Sequence, residues 1–102
     1  MFKMKEITTT ELAKKMETEK GLSIIDVRED EEVAQGMIPG AKHIRLSEIP
    51  ERVNEMDKNE HHFIVCRSGG RSGKACEFLI SQGYEVTNVA GGMLDWNGEV
   101  KK

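Results

Sequence analysis

Short apolar runs separated by segments with helical patterns constrain the fold of this chain most. Three such runs cover residues 23–27 (SIIDV), 62–66 (HFIVC) and 85–89 (EVTNV). They are rich in Ile, Val, Phe or Thr, which favour strands. Strands that alternate with helices along a chain form a parallel sheet covered on both faces. The pattern therefore predicts an α/β fold.

Two weaker segments complete the predicted sheet. Residues 41–45 follow a Pro39-Gly40 turn, and residues 5–8 add an edge strand. With the three stronger runs they give a central parallel sheet of about five strands in a three-layer α/β/α arrangement. At 102 residues the chain has room for one compact domain, which we assign to residues 1–102.

Helices are predicted in three places between these strands. Thr8 and Glu11 have the spacing of a capping box and begin a helix over about residues 9–19. Ser47 is expected to cap a second helix, which carries Ile49, Val53 and Met56 on its buried side. The longest helix is predicted over residues 70–82.

Charge and composition exclude several classes of protein. Charged residues make up 32% of the chain and hydrophobic residues 37%, as in a folded, water-soluble domain. The net charge is -3, which predicts no general attraction for nucleic acid or anionic lipid. The amino-terminal residues contain no apolar segment typical of a secretion signal, and no stretch approaches the length of a membrane span. The expected location is the cytoplasm.

The segment after Cys66 carries the chemistry. Cys66 ends an apolar strand, and residues 67–72 (RSGGRS) lead into the longest predicted helix. Ligands of open α/β sheets bind at the carboxyl ends of the strands, where a following helix presents unpaired N–H groups and a partial positive charge. Gly69 and Gly70 allow the loop to curl so that its N–H groups converge.

Two arginines add full charge to this loop. Arg67 and Arg71 have no obvious carboxylate partner in the sequence, so we expect both to act on an anionic ligand more than on the fold. A free cysteine has a pKa of roughly 8.5, and such surroundings lower it to about 3.5–7.5. The loop therefore predicts an anion cradle with a thiolate nucleophile, Cys66, at its centre; an ordinary turn beside a buried cysteine is the weaker interpretation.

The remaining sulfur and imidazole groups favour structural roles. Cys76 shares a helical face with Leu79 and Ile80, which predicts a core residue, and two cysteines are too few for a disulfide framework. His43, His61 and His62 show no metal-ligand spacing with the cysteines. We therefore predict neither a metal site nor a cofactor.

At this point the sequence resembles the rhodanese domain family. Four pieces stand in the family's order: Asp26-Val27-Arg28 with Glu32; the segment GMIPGA at residues 36–41; the loop CRSGGRS at residues 66–72; and Gly91-Gly92-Met93 followed by Trp96. The likeness spans nearly the whole chain. Met37 stands where the family usually has His, a difference that concerns local packing more than chemistry.

The resemblance implies a sulfurtransferase in which a cysteine accepts sulfane sulfur and passes it on as a persulfide. The nucleophile carried over is Cys66, and the substrate-binding loop is Arg67, Ser68, Gly69, Gly70, Arg71 and Ser72. Asp26, Arg28 and Glu32 are interpreted as a structural ion-pair group, with Arg28 as an accessory candidate for substrate contact. Trp96 is expected to pack the carboxyl-terminal segment against the core rather than to contact a substrate.

The expected partners follow from this activity. The donor is a small anionic sulfur compound: thiosulfate, a glutathione persulfide, a polysulfide or a protein persulfide. The acceptor is cyanide or a thiol, either free or on a protein. Neither a nucleic acid nor a membrane is expected as a partner.

Two other functions compete with this interpretation. Cysteine-dependent phosphatases and arsenate reductases also place a thiolate before a helix. Phosphatases of this type resemble C-x5-R, whereas Arg71 makes C-x4-R here. The shorter loop suits one terminal sulfur better than a phosphate. The other alternative is a non-catalytic binding or regulatory module, which often resembles the family but lacks the cysteine that is present here.

Overall fold

The computed structural model describes residues 4–102, and its centre is a five-stranded sheet. The strands are β1 (Lys5–Thr8), β2 (Ser23–Asp26), β3 (Lys42–His43), β4 (His61–Val65) and β5 (Glu85–Ala90). They lie in the order β1-β5-β4-β2-β3, and every neighbouring pair is parallel. The predicted α/β class, the parallel sheet and the edge strand at its margin are confirmed.

Four helices connect these strands. They are α1 (Thr9–Thr18), α2 (Asp30–Val33), α3 (Ile49–Arg52) and α4 (Gly70–Ser81). The predicted capping box begins α1: the Glu11 amide donates to Thr8 Oγ1 at 3.0 Å, and the Thr8 amide donates to Glu11 Oε1 at 2.9 Å. Both long helices lie where the sequence predicts them.

The segment between β2 and β4 differs from its prediction. The strand expected over residues 41–45 is only two residues long, because the chain turns into a 3₁₀ segment at Leu46–Glu48 after His43. Ser47 lies inside that turn and caps no helix. The following helix begins at Ile49, with Pro50 in its first turn, where a missing N–H costs nothing.

The core has two parts, one on each face of the sheet. Alternation along β4 places Ile64 on one face and Phe63 and Val65 on the other. Residues of α4 pack with Ile64, whereas Leu12 of α1 packs with Phe63. This arrangement holds β4 rigidly between β5 and β2, so the residue that follows β4 lies at the middle of the sheet's carboxyl edge.

None of the helices within residues 4–102 combines the length and the apolar character that crossing a bilayer requires.

Candidate active site

Cys66 immediately follows β4 and lies at the base of a tight turn into α4. The residue is 1% exposed. Its neighbours in the loop, Arg67 and Ser68, are exposed, and α4 begins at Gly70. The sulfur therefore lies where the unpaired N–H groups of the helix begin, as the sequence predicts.

The backbone of the loop turns its amides toward the sulfur. The Gly69 amide donates to Cys66 Sγ at 3.0 Å. Gly69 has a φ of 107°, a conformation that L side chains rarely adopt, so a glycine is required where the chain reverses into α4. The Ser72 hydroxyl oxygen lies 3.3 Å from Sγ.

The two cysteines have opposite electrostatic surroundings. Burial raises the pKa of Cys66, but the Ser72 hydroxyl and the amides of Ser72, Gly69 and Ser68 outweigh it, so the pKa is lowered. Burial raises the pKa of Cys76 to about 12, and Cys76 is fully enclosed in the core. Cys66 is therefore the more acidic of the two thiols, and the enclosure of Cys76 agrees with the packing role predicted for it.

A polar side chain of β5 connects to the loop. Asn88 is 3% exposed and accepts a hydrogen bond from the Ser72 hydroxyl at 2.5 Å. Its Nδ2 donates to the Gly69 carbonyl and to Glu6 Oε2, at 3.2 Å each. Asn88 therefore ties the first turn of α4 to the sheet.

Arg71 forms a two-point ion pair with Glu32 of α2. Its Nη1 and Nη2 donate to the two carboxylate oxygens at 2.7 and 2.8 Å. The expectation that Arg71 lacks a carboxylate partner is wrong, because α2 brings Glu32 to the loop from a distant part of the sequence. Arg67 is exposed, and no ion pair among residues 4–102 includes it.

Arg28 is occupied by protein oxygens. It is 6% exposed and donates to both carboxylate oxygens of Asp26 and, at 2.8 Å, to the Gly36 carbonyl. Nη1 lies 3.4 Å from the carbonyl oxygen of Glu32. This geometry favours the structural role of Arg28 over contact with a substrate. Within the expected ion-pair group, Arg28 pairs with the carboxylate of Asp26, whereas the carboxylate of Glu32 pairs with Arg71.

The chain beyond β5 packs against the back of the loop. The amides of Met93 and Leu94 donate to the carbonyls of Cys66 and Arg67 at 2.8 and 2.9 Å. Gly92 has a φ of 57°, and a Cβ there would lie 2.4 Å from the Cys66 carbonyl oxygen. Only glycine allows the two backbones to approach this closely.

The aromatic and imidazole side chains serve the fold. Trp96 packs against the core face that holds Leu12 and Phe63. His62 bonds to the Asp57 carbonyl, and His61 to the Thr87 hydroxyl, at 2.8 and 2.6 Å. Among residues 4–102, no three His, Cys, Asp or Glu side chains cluster as a metal ion would require.

Comparison with known proteins identifies this arrangement. Residues 8–99 match the family model described as "Rhodanese-like domain". The chain belongs to the rhodanese-like domain family. The crystal structure of a rhodanese-like domain protein from Staphylococcus aureus superposes with a TM-score of 0.92 at 46% identity, covering 96% of this chain and 97% of that chain.

Two curated relatives carry names that refer to sulfur transfer. A Bacillus subtilis protein named "Putative sulfurtransferase YtwF" is 50% identical over 100 residues, which are 98% of this chain and 97% of that protein. The "Thiosulfate sulfurtransferase PspE" of Escherichia coli is 40% identical over 73 residues, 70% of each chain.

Sequence reasoning missed three features of this rhodanese-like domain. The composition of residues 85–89 predicts a strand and gives no role to Asn88, although Asn is depleted in strands and a buried one needs partners. The motif Gly91-Gly92-Met93 does not by itself reveal the close backbone approach at Gly92. Glu32 pairs with Arg71 rather than with the expected Arg28. A polar residue inside a predicted central strand is the signal that would have identified Asn88.

Proposed function

We propose that this chain is a sulfurtransferase that carries sulfane sulfur as a persulfide on Cys66, within the loop Arg67–Ser72. The observation that carries the proposal is the amide of Gly69 bonded to the Cys66 sulfur at 3.0 Å, in a turn that lowers the pKa of that thiol. Thiolates are the nucleophilic form of cysteine. The names of the relatives support the same class of reaction.

In the loading step, the Cys66 thiolate attacks the outer sulfur of the donor. The new bond joins Sγ to that sulfur, the donor's S–S bond breaks, and its electron pair leaves with the remainder of the donor, which is sulfite when the donor is thiosulfate. The negative charge then rests on the terminal sulfur of the persulfide. In this proposal, the amides of Ser68, Gly69 and Ser72 that lower the pKa of the thiol also stabilise that charge.

In the second step, an acceptor removes the terminal sulfur. Cyanide or a thiolate attacks it, the S–S bond of the persulfide breaks, and its electron pair returns to Cys66 as the thiolate. The same amides stabilise the leaving thiolate, so one cradle serves both half-reactions.

The loop favours sulfur over a phosphoryl group. Cys66 is 1% exposed, so the reagent must present one narrow atom to the base of a short loop. A phosphatase cradle needs an arginine free to hold phosphoryl oxygens, and Arg71 is occupied by Glu32. Thiosulfate, persulfides and polysulfides each end in a single accessible sulfur. The name of the Escherichia coli relative supports thiosulfate among these donors.

Two assays with the same protein test this proposal against its alternatives. Purified protein is supplied with thiosulfate or polysulfide and with cyanide, and thiocyanate formation is measured; aryl phosphate hydrolysis is measured in parallel. We expect thiocyanate from the native protein, none above background from Cys66→Ser, and no aryl phosphate hydrolysis. Phosphate release that depends on Cys66 would favour the phosphatase. Inactivity with every donor would favour the binding module.

A further inference from the structure

The orientation of the Asn88 side chain is fixed by its surroundings. Nδ2 lies 3.2 Å from the carbonyl oxygen of Gly69, an atom that only accepts hydrogen bonds. The oxygen of the amide, Oδ1, must then face the hydroxyl of Ser72 at 2.5 Å. Because an amide oxygen also only accepts, the hydroxyl hydrogen of Ser72 points to Asn88 and away from Cys66.

Ser72 therefore stands between two acceptors with one hydrogen to give. Its oxygen lies 3.3 Å from Cys66 Sγ. While Asn88 holds the hydrogen, Ser72 offers the sulfur only lone pairs, which suit a thiol whose S–H donates. A thiolate has no hydrogen and requires Ser72 to donate instead. The thiol and the thiolate thus demand opposite orientations of one hydroxyl group.

We propose that Asn88 is a positioning residue that competes with the Cys66 sulfur for the hydroxyl hydrogen of Ser72. The hydrogen turns from Asn88 to Sγ when Cys66 loses its proton to solvent. It returns to Asn88 when the sulfur is protonated again or bonded to a second sulfur. Its return during turnover rests on the proposed function, whereas the competition itself does not.

Burial makes the competition costly on both sides. Ser72 is fully buried and Asn88 is 3% exposed, so water does not replace a lost partner for either group. When the thiolate takes the hydrogen, Oδ1 of Asn88 loses its donor inside the protein. Asn88 therefore limits the fraction of Cys66 present as thiolate, against the amides of the loop that increase it.

Several ionisable groups surround this pair, and none of them is substituted in the test. Glu6 of β1 accepts from Asn88 at 3.2 Å. Arg71 of α4, paired with Glu32 of α2, and Cys76 of α4 interact electrostatically with Cys66. Asn88→Ala also removes the hydrogen bonds that Asn88 donates to Glu6 and Gly69, so the effect of the hydroxyl hydrogen is read from the comparison of Asn88→Ala with and without Ser72.

The test is the rate of Cys66 alkylation by iodoacetamide against pH, followed by peptide mass, in native protein, Asn88→Ala, Ser72→Ala and the double variant. Freeing the hydroxyl should shift the Asn88→Ala profile to lower pH. At pH values where the thiol dominates, the larger thiolate fraction should raise the alkylation rate. The rise should be only about twofold to fivefold, because a less basic thiolate is also less nucleophilic. Ser72→Ala should react more slowly than native protein. In the Ser72→Ala background, Asn88→Ala should change nothing further.

The matched control is Thr87→Ala. Thr87 precedes Asn88 on β5, is 6% exposed, and points to the opposite face of the sheet. The Thr87→Ala change removes the hydrogen bond between Thr87 and His61. Its profile should equal that of native protein. An unchanged or slower Asn88→Ala, or the same effect of Asn88→Ala with and without Ser72, would overturn the proposal.

Two further experiments cover the case in which Asn88→Ala does not fold. The first is the same alkylation profile in Asn88→Val, whose apolar side chain is suited to a strand. The second is an NMR titration of the native protein. In the native protein, the side-chain carbonyl ¹³C resonance of Asn88 should titrate with the midpoint of Cys66 alkylation and should lose that titration in Cys66→Ser. A resonance that is insensitive to the state of Cys66 would contradict the exchange of the hydrogen.

Discussion

Arg71 and Glu32 face each other beside the cysteine loop in a two-point ion pair, with N–O distances of 2.7 and 2.8 Å. The pair joins the first turn of α4 to α2, 39 residues away in sequence. The full positive charge of Arg71 is balanced beside the sulfur. The exposed Arg67 is therefore the loop arginine with a charge left to attract a donor.

The two arginines should consequently respond differently to replacement. Arg67→Ala should leave the thermal midpoint unchanged and slow loading from thiosulfate by about threefold to tenfold, with a flatter dependence on salt. Arg71→Ala should lower the midpoint by about 4 to 8 °C, the shift that 1 kcal/mol produces in a domain of this size. Loading rates against ionic strength and thermal scans provide the comparison. Equal midpoints for both variants would mean that the ion pair does not support the fold.

Acid should weaken the same pair. Hydrogen bonds from Arg71 lower the pKa of Glu32 from its usual 4.5 to about 2. A carboxyl whose pKa is depressed on folding contributes stability above its unfolded pKa and loses it as the pH falls through the folded value. The difference in free energy of unfolding between native protein and Glu32→Gln should therefore shrink from pH 4.5 to pH 2. Urea titrations at several pH values measure it.

Glu31→Gln is the matched control for this series, because it removes a neighbouring charge from α2 and leaves the Arg71 pair intact. Its difference from native protein should show no comparable loss over that pH range. A constant difference for Glu32→Gln would contradict the depressed pKa.

The close approach of Gly92 to the loop predicts a strong effect of one methyl group. In Gly92→Ala the new Cβ would meet the Cys66 carbonyl oxygen at 2.4 Å and the Arg67 carbonyl carbon at 2.6 Å, both backbone atoms. We expect a loss of about 2 to 4 kcal/mol and slower sulfur loading. Gly40→Ala is the matched control, because Gly40 also has a positive φ but an added Cβ there would meet nothing within 4 Å. This variant should lose only about 1 to 2 kcal/mol of unfolding free energy, the cost of the backbone conformation, and its sulfur loading should be normal. Equal effects would remove the argument for a backbone contact.

The two thiols should be distinguishable by a single reagent. Burial raises the pKa of Cys66, but the hydrogen bonds of Ser72 and the loop amides together outweigh it and lower the pKa, whereas burial raises the pKa of Cys76 to about 12. At pH 7, iodoacetamide should modify the folded native protein once, at Cys66, and reach Cys76 only after unfolding. Peptide mass spectrometry reads the sites. Modification of Cys76 in the folded protein at a comparable rate would contradict the assignment.

Local sequence signals identified most of this fold. Strand composition located β2, β4 and β5 to within one residue at each end, and the Thr8–Glu11 spacing located α1. The start of α4 followed from the glycines after Cys66. These features depend on neighbours a few residues apart, which a sequence displays directly.

Contacts between distant segments were not accessible in the same way. The partner of Arg71 comes from α2, the hydrogen bonds of Ser72 involve β5, and the space that Gly92 fills is set by the Cys66 loop itself. Each depends on the register and packing of separate elements. The sequence therefore located the cysteine loop but not the distant side chains that contact it.

The central claim is that Cys66 carries the transferred sulfur, and intact mass tests it most directly. The protein is treated with thiosulfate or polysulfide, and the excess donor is removed. Its intact mass is then measured by mass spectrometry before and after addition of cyanide. We predict the added mass of one sulfur atom on native protein and on Cys76→Ser, removed by cyanide, and no addition to folded Cys66→Ser. An adduct that persists in Cys66→Ser, or disappears in folded Cys76→Ser, would contradict the account.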